Sequence, residues 1–142
     1  MGESRKENTG HNVIDTSALY PLILKYPELL GKHIENFIIL DLTRYELGNV
    51  IRFDKEIKDP TSNFEMFSVV LNNLRIYTIA NFPAIGKLSL SNKITFYDAA
   101  YIEAAIELGV KLITQDKELL SKFKENAITI DEFKKIVDFG LQ

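Results

Sequence analysis

The chain has no cysteine in its 142 residues and only two histidines, His11 and His33. The first absence excludes disulfides and thiolate chemistry. Together they argue against a structural zinc site, which is assembled from those two residue types. No run approaches the roughly 20 consecutive apolar residues that cross a bilayer. The opening "MGESRKENTGHN" is polar and lacks the apolar centre of a signal peptide, so a cytoplasmic protein with no membrane partner is expected. Charge of one sign is scarce too. A net charge of −3 argues against bulk, non-specific coating of nucleic acid. His11 and His33 have no partner at metal-ligand spacing and read as exposed or capping residues.

What is present is the composition of one globular domain, 46% hydrophobic and 26% charged. Strand-like and helix-like segments alternate. "NVID" (12–15), "NFIIL" (36–40), "RIYTI" (75–79), "VKLIT" (110–114) and "AITI" (127–130) are short, β-branched and apolar. Between them "SALYPLILKYPELL" (17–30), "TRYELGNVIRF" (43–53), "FEMFSVVLNNL" (64–74), residues 82–91, "TFYDAAYIEAAIEL" (95–108), "KELLSKF" (117–123) and "DEFKKIVDF" (131–139) carry helical spacing. Gly109 follows the clearest helix at the position that favours a left-handed cap. Strands alternating with helices predict an α/β fold, a parallel central sheet with helices on both faces. There is no repeat and no internal linker. Residues 1–12 read as a disordered tail and 13–142 as the folded domain.

Four acidic residues interrupt this pattern. At about 100° per residue, Tyr97, Tyr101, Ile102, Ala105, Ile106 and Leu108 share one side of their helix, with Glu103 and Glu107 opposite. Asp98 then projects into the middle of the apolar side. The same count places Glu46 between Val50 and Phe53, with Arg44, Gly48 and Arg52 on the far side. Asp15 and Asp116 directly follow apolar strands, at the carboxyl edge where parallel sheets assemble their sites. Capping explains each acid singly. "TRYE" and "TFYD" fit the capping box, and Asp15 and Asp116 can each begin the following helix. Capping does not explain why two acids lie on apolar faces and two at one sheet edge. A buried carboxylate is costly unless paired or bound to a cation. Four carboxylates with no soft ligand suit Mg²⁺ or Mn²⁺. Two such ions about 4 Å apart activate water and stabilise the leaving oxygen of a phosphodiester, which points to metal-dependent nuclease chemistry.

In their order along the chain, "VIDTSAL", "TRYELGNV", "TFYDAAYIEAA" and "LITQDKELL" resemble the PIN-domain ribonucleases, in particular the VapC-type toxins of toxin–antitoxin pairs. The likeness runs from about Val13 to Phe123 and is loose only from Asp54 to Asn92. It implies a single PIN-like domain whose catalytic, metal-holding quartet is Asp15, Glu46, Asp98 and Asp116. The supporting hydroxyls are Thr114 with Thr16 or Ser17. It also implies an endoribonuclease acting on RNA, a homodimer, and a cognate antitoxin whose chain occupies the acidic cleft. Arg44, Lys93 and Lys117 lie near the acids in sequence and are either RNA phosphate contacts or solvated charges. "YPLILKY" is core or, less simply, a partner surface; Asp41 and Asp131 read as turn or cap residues. Two other functions fit an acidic pocket: a non-catalytic PIN-like module binding RNA or protein, and a receiver-type phospho-acceptor domain. The receiver gives Glu46 and Asp98 no role.

Overall fold

A computed structural model describes residues 11–138. Five strands, β1 (Asn12–Ile14), β2 (Phe37–Ile39), β3 (Arg75–Ile76), β4 (Lys111–Ile113) and β5 (Ala127–Ile128), form one sheet in the order β3-β2-β1-β4-β5. Every pairing is parallel, so the expected α/β fold is what the chain adopts. β1 begins at Asn12, inside the stretch assigned to the tail; the rest of that stretch up to residue 10 lies outside the described residues.

Alternate strand residues face opposite ways, and each face has its own core. Ile14, Phe37, Ile39, Ile113 and Ile128 pack on one side. There they meet α1 (Thr16–Lys25), α2 (Pro27–Lys32), α3 (Asp41–Phe53), α4 (Pro60–Asn72) and α8 (Ile130–Asp138). Val13, Ile38 and Leu112 point the other way, towards α5 (Phe82–Asn92), α6 (Phe96–Leu108) and α7 (Lys117–Lys122). The chain runs from β1 to β2 on one side of β1, while β4 flanks it on the other. The crevice between the carboxyl ends of β1 and β4 is therefore the switch point of the sheet.

Several boundaries differ from the sequence reading. The helix expected over 17–30 breaks at Tyr26, because Pro27 lacks the N–H needed to continue α1 and instead opens α2. α4 starts at Pro60 rather than Phe64, with Asp59 accepting from the Ser62 N–H at 3.3 Å and from its hydroxyl at 2.6 Å. α3 starts at Asp41, so Thr43 is its third residue and not its cap. Gly109 does close α6 with φ 67°; Lys93 closes α5 in the same left-handed region at φ 55°.

The amphipathic reading of 95–108 does not hold. α6 lies between the sheet and α5, and every residue from Ala99 to Ala105 is buried, Glu103 included. Tyr97 and Ile106, placed on the apolar side by periodicity, are exposed. Glu107, expected in solvent, accepts from the Tyr77 hydroxyl at 2.6 Å, the Ala80 N–H at 2.9 Å and the Asn81 N–H at 3.0 Å. Burial first, then its bond to Glu107, pushes the Glu103 carboxyl up to about 7. Glu107 is held down at about 2: burial opposes this, but Tyr77, Ala80, Glu103 and Asn81 outweigh it. The proton shared by the pair thus favours Glu103, and the Glu107 carboxylate anchors the chain entering α5.

Candidate active site

The register of the sheet builds the site's floor. Ile14 pairs with Ile113, so the residues that follow, Asp15 and Thr114, emerge side by side. Asp15 continues the ladder through its N–H to the Ile113 carbonyl at 3.2 Å. Its carboxylate is 5% exposed. Oδ1 accepts from the Ser17 hydroxyl at 2.6 Å and the Ala18 N–H at 3.2 Å; Oδ2 accepts from the Thr114 hydroxyl at 2.5 Å. Burial is the largest influence and raises this carboxyl to about 6. The three hydrogen bonds pull it back, and the charge of Asp98 adds a smaller rise.

Ser17 and Thr114 lie 3.2 Å apart. Ser17 Oγ accepts the Gln115 N–H at 2.9 Å, and Thr114 Oγ1 accepts the Asp116 N–H at 3.1 Å. The two hydroxyls therefore lock the β4–α7 turn to the start of α1. Asp116 caps α7, its Oδ1 accepting the Glu118 and Leu119 N–H groups at 2.8 and 3.1 Å. Capping is thus real for Asp15 and Asp116. Both remain at the sheet's carboxyl edge.

Capping fails for the other two acids. Since Thr43 is the third residue of α3, its hydroxyl accepts the Leu40 N–H at 3.1 Å, and Glu46 has no part in the helix start. Glu46 is half-buried beside the inward stripe of Thr43, Leu47 and Ile51, while Phe53, expected inward, is exposed. Thr95 caps α6 by accepting the Asp98 N–H at 3.0 Å. Among the described residues no bond runs back from the Asp98 carboxylate to the Thr95 N–H. Asp98 is half-buried; burial raises its carboxyl first, and the charges of Asp116, Glu46 and Glu118 raise it further, against the Thr95 hydroxyl. The charge of Asp98 thus reaches Asp15, and those of Asp116 and Glu46 reach Asp98.

Sequence reasoning missed one member. The Tyr101 hydroxyl donates to Glu46 Oε1 at 2.7 Å, and Thr16 donates to the same oxygen at 2.9 Å. With the Tyr101 proton so committed, Thr43 donates to Tyr101 across 2.7 Å, and Leu40 N–H donates to Thr43. The result is a directional chain from backbone to carboxylate. Burial above all raises the Tyr101 phenol, so its proton stays in place. The signal is a tyrosine three places after Asp98, on the same side of the helix. Tyr101→Phe keeps the ring but strands the Thr43 hydroxyl, a loss of about 1–2 kcal/mol. The expected reading is a lower urea midpoint at unchanged slope; an unshifted midpoint would show the relay to be idle.

The predicted basic contacts stand further out. Arg44 pairs with Asp41 at 3.5 Å and lies 5.7 Å from the Tyr45 ring centre. Lys93 and Lys117 are exposed at the end of α5 and the start of α7. Asp41 begins α3 and pairs with Arg44, in keeping with a turn or cap role.

With this geometry in view, residues 13–126 match the PIN domain. The chain belongs to the PIN-domain family. Exonuclease VapC9 of Pyrobaculum aerophilum is 33% identical to this PIN domain over 114 residues, covering 79% of this chain and 85% of the relative. Ribonuclease VapC3 of the same organism is 29% identical over 128 residues, covering 78% of this chain and 93% of the relative. The crystal structure of PAE2754 from Pyrobaculum aerophilum superposes with a TM-score of 0.78 at 30% identity, over 93% of this chain and 96% of that one. A chain from a toxin–antitoxin complex of Klebsiella pneumoniae shares the fold, with a TM-score of 0.65 at 17% identity over 83% and 96% of the two chains.

The donors of this PIN domain suit a hard cation, since every candidate ligand is oxygen. Among the described residues, no group of three or more acidic, histidine or cysteine side chains is placed to hold a metal ion by itself. Asp15 accepts from the Ser17 and Thr114 hydroxyls, and Glu46 from those of Thr16 and Tyr101. An oxygen-only donor set of this kind suits a hard divalent cation that keeps several of its waters.

Proposed function

We propose that this PIN domain is a divalent-metal-dependent endoribonuclease, the cytoplasmic toxin of a toxin–antitoxin pair, with Asp15, Glu46, Asp98 and Asp116 as its metal-holding acids. The observation that carries the reading is Asp98. It is a half-buried carboxylate raised first by burial and then by the charges of Asp116, Glu46 and Glu118, with only the Thr95 hydroxyl at its helix start to offset them. Such a group is best stabilised by a cation. The relatives named exonuclease and ribonuclease support the same class.

Bound Mg²⁺ or Mn²⁺ supplies Lewis acidity: it activates water and offsets charge on the phosphodiester. The chain's own residues do the positioning. Ser17 and Thr114 fix both oxygens of Asp15, and Thr16 with Tyr101 fixes Glu46. Asp116 is pinned by two backbone N–H groups and keeps its other oxygen for a cation or water. Lys93 and Lys117, exposed at the end of α5 and the start of α7, are the cations we assign to an RNA backbone approaching the acids.

The partner reading is part of the proposal. A mainly apolar cleft of about 330 Å³ lies between α2 and α4, lined by Ile23, Leu30, Met66 and Val69 among others. It supports a protein partner, either the cognate antitoxin or the second subunit of a homodimer. Among the described residues no helix is long and apolar enough to cross a membrane.

The test is incubation of purified protein with single-stranded and structured RNA in Mg²⁺, Mn²⁺ or chelator. Cleavage is expected only with a divalent ion, leaving a 5′-phosphate and a 3′-hydroxyl, because no histidine pair is present for acid–base attack by the 2′-hydroxyl. Undiminished cleavage in chelator, or 2′,3′-cyclic ends, overturns the reading. Binding of RNA without cleavage under any ion returns the chain to the non-catalytic module.

A further inference from the structure

A cleft of about 450 Å³ opens beside the acids, between α3 and the start of α6. Its walls are Leu42, Tyr45, Glu46 and Asn49 from one face of α3, with Tyr97 from α6. Positions 42, 45, 46 and 49 recur at the spacing that stacks side chains along a helix face. Two features set this cleft apart from the rest of the surface. It is continuous with the candidate active site, since Glu46 is both its inner wall and a site acid, and Tyr97 directly precedes Asp98. It also displays two tyrosines in water, 66% exposed for Tyr45 and 61% for Tyr97. Their rings are not in contact with each other, in contrast to Phe82 and Phe96 on the same side of the molecule, which meet at 5.2 Å.

We propose that this cleft seats one unpaired base of a single-stranded RNA, stacked on Tyr45 and Tyr97, next to the phosphodiester presented to the acids. The proposal rests on the nuclease reading and adds the substrate class and the residues that grip it. Every base has a π-face, so exposed aromatic rings along a strand's path give sequence-tolerant grip. A paired base is buried in its own stack and has no free face to offer, so the site selects single strands, loops and ends. The Arg44 guanidinium lies 5.7 Å from the centre of the Tyr45 ring, which remains 66% exposed. Among the described residues nothing hydrogen-bonds the Asn49 side chain. Its amide carries both donors and an acceptor for a base edge. An apolar protein segment fits less well, because the inner wall of the cleft is a carboxylate.

The experiment uses the full chain and a short, labelled single-stranded RNA. Its variants are Tyr45→Ala, Tyr97→Ala, Tyr45→Phe and Tyr97→Phe. Binding is read by fluorescence anisotropy, which needs no cleavage, with kcat and KM measured alongside. Both tyrosines are exposed, and thermal melts confirm that each variant folds as the parent does. Each alanine variant is expected to bind ~5- to 100-fold more weakly, with kcat at saturating RNA within about 3-fold of the parent. Each phenylalanine variant retains the stack and binds as the parent does. An abasic nucleotide stepped along the RNA should reproduce the loss at one position, and there the alanine variants should cost nothing more. Alanine variants that bind intact and abasic RNA as the parent does overturn the base site alone. A parent that binds no RNA overturns the base site and the nuclease reading together. Alanine variants that leave RNA binding intact but change the mass by light scattering assign the face to protein contact instead.

Discussion

Asp98→Asn should remove metal-dependent RNA cleavage, by ~100-fold or more, while leaving the metal-free protein as stable as the parent or slightly more so. Changes behind a metal ligand already cost 10–100-fold, so loss of a direct ligand should cost at least the upper figure. The stability side follows from two opposed charge effects. A carboxylate in the first turn of α6 gains from the helix N-terminus, worth roughly 0.3–1 kcal/mol. Against that, Asp116, Glu46 and Glu118 repel it and burial disfavours its charge, which is why its carboxyl is raised. Asparagine keeps the shape and the N–H that Thr95 caps. With Mn²⁺ at about 100 times its dissociation constant, the parent gains about 2.7 kcal/mol; the variant should lose most of that gain. Melting curves with chelator and with Mn²⁺, beside one cleavage assay, separate the readings. A variant destabilised in chelator yet fully active would leave Asp98 as a helix-start residue and deprive the site of its central ligand.

The legible parts of this chain are those where one physical cause acts alone. Short β-branched runs buried on both faces read as strands, and the acids placed directly after them, Asp15 and Asp116, fall where a parallel sheet ends. Gly109 was legible because a left-handed cap has one strong residue preference. The misreadings come where two causes compete. Around Tyr26, apolar spacing continues while Pro27 forbids the next backbone bond, and the missing bond wins. At α3, "TRYE" has the letters of a capping box, but the strand ends early enough for Asp41 to begin the helix, which frees Glu46. On α6, alanine and isoleucine lie all round the helix, so counting at 100° finds a stripe that packing from both sides erases. Counting at 100° assigns Glu103 to water for that reason, although Glu107 makes its burial tolerable by accepting a hydrogen bond from it. Tyr101 was legible as a ring and illegible as a hydroxyl. Only the fold brings Thr43 and Glu46 to its oxygen.

Asp15→Asn should abolish cleavage, again by ~100-fold or more, and should change the pH dependence of stability. The Asp15 carboxyl is raised from 3.8 to about 6, chiefly by burial. Between those values the folded state binds a proton that the unfolded state has released. Stability therefore falls as pH rises through that window, and by neutral pH the metal-free parent carries the full deficit, on the order of 3 kcal/mol. Asparagine has no such group. It is also as good an N-cap as aspartate, so the Ala18 N–H and the Ser17 hydroxyl keep their acceptor. Its amide N–H₂ replaces the oxygen that faced Thr114. That hydroxyl can accept from the amide and turn its own proton towards Ser17, 3.2 Å away. In chelator the variant should match the parent near pH 4 and exceed it progressively up to about pH 6, then run parallel. Adding Mn²⁺ should reverse the order at neutral pH, because the cation offsets the parent's buried charge and finds none at position 15 in the variant. Denaturant unfolding from pH 4 to 8, with chelator and with Mn²⁺, reads both effects. A variant less stable than the parent at pH 7.5 in chelator would mean that the Asp15 charge is sustained by Ser17, Thr114 and Ala18 alone. The need for a cation at the switch point would then disappear.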